Sequence, residues 1–155
     1  METVIKFNTL HCANLIRADI NKTINLTQNS NKEILQGKKW IYATLDDKQI
    51  LGQDAINLST AMNNANCHQA HYGWALDFLN KSDFEINTFS SNQESIEEIQ
   101  HPESRLDHMD SVIFGDHPLR FCIIRPDSFD KLLYVVGEEN FVRQCCKETG
   151  WKIYR

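Results

Sequence analysis

The chain has 155 residues, 41% of them apolar and 24% charged, enough to build one domain around one core and too apolar for a disordered, collagen-like or coiled-coil protein. The 21 acids against 16 bases give a net charge of −5. A large nucleic-acid-binding face is therefore not expected, and partners should be proteins or small molecules.

No apolar run approaches the roughly 20 residues that cross a bilayer. The opening Met1–Phe7 has no charged leader ahead of an apolar stretch, so the chain is expected to begin where the sequence does, with no membrane segment. Its five cysteines are an odd number and include the adjacent pair Cys145 and Cys146, a poor disulfide framework. A reducing, cytoplasmic setting is the expectation.

Thr3 to Phe7 reads as a strand. Ala13, Ile16, Ile20 and Ile24 follow at helical spacing, predicting a helix over Cys12 to Thr23. After a polar loop from Thr27 to Gly37, the aromatic and β-branched run Lys39–Leu45 is a strand, with Asp46-Asp47 as turn and helix cap. Leu51, Ala55, Leu58 and Met62 form the clearest helical stripe, and a further helix is expected over Cys67 to Leu79. Phe84–Phe89 alternates apolar with polar, the mark of a half-buried strand.

The stretch 90–110 is rich in Ser, Glu, Gln and His and reads as a surface excursion with a short helix near Glu94 to Ile99. Strands are expected at Ser111–Phe114, Leu119–Ile124, Leu132–Val136 and Trp151–Tyr154, with a helix over Glu138–Glu148. Helices gather in the first half and strands in the second. The fold class is therefore α+β, a single domain over 1–155 with a mixed or antiparallel sheet. No G-x-G-x-x-G and no G-x-x-x-x-G-K-[ST] occurs, which disfavours a doubly wound nucleotide-binding fold.

Cys67, His68 and His71 lie close together, but the second short-spaced pair of a structural zinc site is missing, and no metal is expected. Cys67 is read as a packed thiol rather than a nucleophile. The pairs Glu97-Glu98 and Glu138-Glu139 fit solvated helix starts as well as acid–base work. Arg120, Arg125, Arg143 and Lys131 are the one basic concentration, suited to a phosphate or an acidic partner.

Leu10-His11-Cys12-Ala13 after the first strand, and Trp40-Ile41-Tyr42-Ala43-Thr44-Leu45-Asp46-Asp47 some thirty residues later, give an order of motifs that resembles the diphtheria-toxin-like branch of the ADP-ribosyltransferase superfamily. The resemblance covers residues 5–60. It implies NAD as substrate, with His11 holding the adenosine ribose, Tyr42 stacking on nicotinamide and a glutamate stabilising the cationic sugar as the glycosidic bond breaks. Glu138 is the candidate for that carboxylate and Glu85 a second. The product would be ADP-ribose on a protein acceptor. The usual glycine of the H-G-[ST] motif is Cys12 here. A second expectation comes from charge: a small acidic binding protein, such as an immunity protein or inhibitor, that occludes a basic protein partner.

Overall fold

The computed structural model describes residues 3–29, 39–45, 49–100, 111–116, 118–125, 133–147 and 152–154. Among the described residues eight strands form one sheet: β1 (Thr3–Lys6), β2 (Trp40–Leu45), β3 (Gln69–Trp74), β4 (Glu85–Ser90), β5 (Ser111–Phe114), β6 (Phe121–Arg125), β7 (Leu133–Glu138) and β8 (Lys152–Tyr154). Their order across it is β1-β4-β3-β5-β6-β7-β2-β8, and every neighbouring pair is antiparallel. The helices are α1 (Ala13–Asn29), α2 (Gln53–Asn64), α3 (Ala75–Asn80), α4 (Gln93–Glu98) and α5 (Glu139–Cys145), with a 3-10 turn at Phe7–Thr9. This is the α+β domain that the sequence predicts.

Helices cover both faces of the sheet, and alternation along each strand divides the core in two. On one side Ile41, Ala43, Tyr72, Phe89, Ile113, Phe121, Ile123 and Val135 meet Ala55, Leu58 and Met62 of α2, Ile96 of α4 and Phe141 and Val142 of α5. On the other, Trp40, Ile86, Val112, Phe114, Cys122 and Val136 meet Ile16, Ile20 and Ile24 of α1 and Phe78 of α3. Strands covered on both faces must be apolar on both, which is why β5 and β6 read as unbroken runs, Ser-Val-Ile-Phe and Phe-Cys-Ile-Ile. Their order at the centre of the sheet follows.

The helix expected over Cys67 to Leu79 is corrected. Residues Gln69–Trp74 are β3, and only Ala75–Asn80 are helical. In β3, Ala70 and Tyr72 face one core while His71 and Gly73 turn to the other, and all four are buried. With polar His71 inside, the strand's period of two loses its polar contrast. Leu51, placed at the head of the helical stripe, precedes α2 and is 44% exposed.

Over 90–110, expected as a surface excursion, the described part up to Gln100 is tied down. Ile96 and Ile99 are buried in the α2 core. The buried Gln100 side chain donates to Ile50 O and Ile96 O and accepts from Ile50 N at 2.6 Å. Asn92 caps α4 by accepting from Ser95 N. Asp46-Asp47 and residues 101–110 lie outside the described residues.

Gly137, near the end of β7, marks the closest backbone approach. A Cβ there would sit 2.5 Å from Arg120 O and 2.9 Å from Phe121 Cα. Neither atom belongs to a side chain that can swing away. Gly137→Ala is expected to destabilise the fold by about 2 kcal/mol, the scale of overpacking a filled site, read as a lowered urea midpoint with an unchanged m-value.

Candidate functional site

One end of the sheet gathers the polar side chains. The chain turns there from α2 into β3 through a Schellman motif: Asn66, at φ 58°, takes the left-handed conformation, its N–H meets Asn63 O at 3.1 Å, and Cys67 N–H meets Met62 O at 2.8 Å. Asparagine tolerates that backbone better than most side chains. Asn63 Oδ1 then accepts from Ser91 Oγ at 2.9 Å and pairs with His68 Nδ1 at 3.0 Å, fixing the α2–β3 corner to the loop after β4.

Above this corner lies a cleft of about 740 Å³ whose lining includes Asn66, Cys67, His68, Gln69, Asp116 and Arg120. A second, of about 600 Å³, is lined by Thr3 and Ile5 of β1, Thr9, Leu10, His11, Gln69, His71, Thr88 and Asp116. Gln69 and Asp116 belong to both, so the two clefts meet at those residues.

Asp116 is the hinge of this arrangement. His71 is 4% exposed and opposes Thr88 on β4 and Phe114 on β5 in the sheet register. Its Nε2 meets Asp116 Oδ1 at 2.8 Å and its Nδ1 meets Thr88 Oγ1 at 2.9 Å. A carboxylate can only accept, so Nε2 carries the proton and, in the neutral ring, the Thr88 hydroxyl donates to Nδ1. Both imidazole nitrogens are thus occupied, Nε2 by the carboxylate and Nδ1 by the buried Thr88 hydroxyl. The Asp116 side chain, by contrast, is 71% exposed. A buried imidazole holds an exposed carboxylate in one place.

Cys67 donates to Gln69 O at 3.1 Å. Burial pushes its thiol up to about 11, and the Asp116 charge pushes in the same direction. A thiol so shifted is protonated at neutral pH and is not an activated nucleophile, in accord with its reading as a packed residue.

The three residues singled out for NAD occupy different places. His11 is exposed and lines the cleft on β1, β4 and β3, the first three strands of the sheet. Cys12, which stands where the transferase pattern has glycine, has φ 60°. Tyr42 is half-buried on β2, the seventh strand, beside the α1 core. Four strand spacings put roughly 20 Å between β3 and β2. Glu138 ends β7 opposite Trp40, and Tyr42 opposes Val136, so Tyr42 and Glu138 lie two register positions apart on adjacent strands. The sheet brings these two near each other, and His11 belongs to a different cleft. Glu85 is exposed on β4 opposite Lys6.

Asp116, Gln69 and Thr88 escaped the sequence reading. The one signal available for Asp116 was its place in Gly115-Asp116-His117-Pro118 between two strands, a turn composition that says nothing of a cleft. Among the described residues no helix is long and apolar enough to cross a membrane, and no group of three or more His, Cys, Asp or Glu side chains is placed to hold a metal ion. The chain matches no family model, no curated protein and no solved structure.

The thiol shift carries a direct test. Alkylation of Cys67 by iodoacetamide, followed by peptide mass spectrometry, should stay slow at pH 8 and rise with a midpoint near 11. Asp116→Asn should move that midpoint down, because it removes the neighbouring negative charge.

Proposed function

We propose that the protein is a small acidic binding protein that occludes a basic surface of a protein partner, with Asp116 as its central contact. The observation that carries this reading is the Asp116 carboxylate, exposed at the meeting of two clefts and held from beneath by buried His71. A carboxylate already held in place loses little freedom when it meets a Lys or Arg side chain, so more of the charge-assisted contact appears as affinity. Around it Asn66 and Gln69 offer neutral donors and acceptors to a partner's backbone. The net charge of −5 favours encounter with a basic protein over long range.

The Cys67 thiol in these clefts is protonated at neutral pH, and His71 is committed to Asp116 and Thr88. The transferase reading asks for His11, Tyr42 and a glutamate around one dinucleotide. On the binding reading, purified protein releases no nicotinamide from NAD, measured by chromatography. Release that His11→Ala and Tyr42→Ala each abolish, with both variants folded, would favour the transferase instead.

The binding reading is tested by photo-crosslinking in cells, with benzoylphenylalanine replacing exposed Gln69 at the cleft or exposed Leu79 on α3. Capture of a basic protein from position 69, not from position 79, is expected. The isolated pair should weaken with rising salt, and Asp116→Asn should cost about 1.5–3 kcal/mol of binding, the scale of a hydrogen bond to a charged group. A partner captured equally from both positions, or one indifferent to Asp116→Asn, would sink the reading.

A further inference from the structure

A third cleft, of about 470 Å³, lies between α2, α5 and the facing ends of β6 and β7, and Asp116 does not line it. Arg120, Arg143 and Lys147 do, with the Glu138 carboxylate and the amides of Asn64, Asn140 and Gln144. Three cations in one cleft stand out on a chain with 16 bases against 21 acids.

The Arg143 guanidinium is held by a hydrogen bond, and that of Arg120 is drawn to a carboxylate by charge alone. Arg143 Nε meets Glu139 Oε2 at 2.7 Å, one turn back on α5, and Arg120 Nε lies 3.7 Å from Glu138 Oε1. Each glutamate takes the Nε side of the fork. The terminal Nη–H donors, which point away from Nε, remain for another acceptor. All four of these side chains are between 41% and 51% exposed, so Glu139 orients Arg143 at little cost in desolvation, and both pairs contribute little stability. Two guanidinium forks, a lysine point charge and neutral amide donors ask for a ligand with several acceptor oxygens and more than one negative charge. A carboxylate offers two oxygens and one charge, whereas a phosphoryl group offers three oxygens and close to two.

We propose that this cleft binds a phosphoryl dianion, bridged by the Nη groups of Arg120 and Arg143 with Lys147 as the third charge. Free phosphate and a phosphorylated serine side chain present the same chemistry, and the experiment separates them. Amide chemical shifts of the full chain are followed by NMR during titration with inorganic phosphate, with a phosphoserine tripeptide and with acetate, all at one ionic strength. Saturable shifts centred on Asn64, Asn140, Arg143 and Gln144 are expected, with dissociation constants on the order of millimolar for the better phosphoryl ligand and weaker binding of acetate. Tighter phosphate assigns a free anion; a tighter tripeptide assigns a phosphorylated partner.

The double variant Arg120→Gln/Arg143→Gln should bind at least roughly tenfold more weakly, since even one lost charged contact is worth about a factor of ten. Asp116→Asn should leave phosphate binding unchanged, which keeps this test separate from that of the partner surface. Should the double variant not fold, Lys147→Gln, at an exposed position, should still weaken binding severalfold. Shifts that rise linearly, that acetate reproduces equally, or that survive these substitutions would overturn the proposal.

Discussion

The inner strands of the sheet are covered by helices on both faces, and much of the placement of polar groups follows from that constraint. A strand with no wet face cannot carry a catalytic side chain to solvent from its middle, because any polar group there must be satisfied within the protein. His71 illustrates the rule: it lies inside a central strand and spends both nitrogens on neighbours, Thr88 and Asp116. Asn57 illustrates it on α2, where its buried amide donates to Lys147 O at 2.7 Å. Polar side chains become available where strands stop. The three clefts accordingly line up along the strand ends, sharing Gln69 and Asp116 at one junction and Ala65 and Arg120 at the other.

Along that line the charge alternates. Asp116 stands at the first junction and Arg120 at the second, with Glu138, Arg143 and Lys147 beyond. On the proposed binding reading, such a surface would discriminate by pattern, because a partner would have to present a cation and an anion in the right order. Acidity overall speeds the encounter of a basic protein, and the arginines add a second criterion.

Much of the fold was legible from residue patterning. The apolar runs of β2, β5, β6 and β7 and the stripe on α2 announce themselves because their side chains go where their polarity suggests. The passage through β3 did not, because its polar residue goes inside: His71 is buried on one face while Gln69 starts the strand exposed. The segment from Gln93 to Gln100 misled for a related reason. Its Ser, Glu and Gln content reads as surface, but Ile96, Ile99 and the bonds of Gln100 to Ile50 decide its position. The site was less legible than the fold. His11, Tyr42 and Glu138 were chosen by order along the chain, and a sheet that places β2 far from β1 and β3 dissolves that order. Asp116 matters through an imidazole 45 residues away, a contact that no local pattern encodes.

The strand order also governs how the chain must come into being. β2 is flanked by β7 and β8, so a strand from the first third of the chain waits for partners from its last quarter. Until they arrive, the alternating Trp-Ile-Tyr-Ala-Thr-Leu run of β2 has open backbone on both sides and apolar side chains in water. On the ribosome that interval covers nearly a hundred residues of synthesis, on the order of five to twenty seconds. Sheets closed by such distant pairings also fold slowly, because loop closure must precede the contacts that reward it. During that interval an extended aromatic segment with two unpaired edges is the part of the chain most open to wrong pairings.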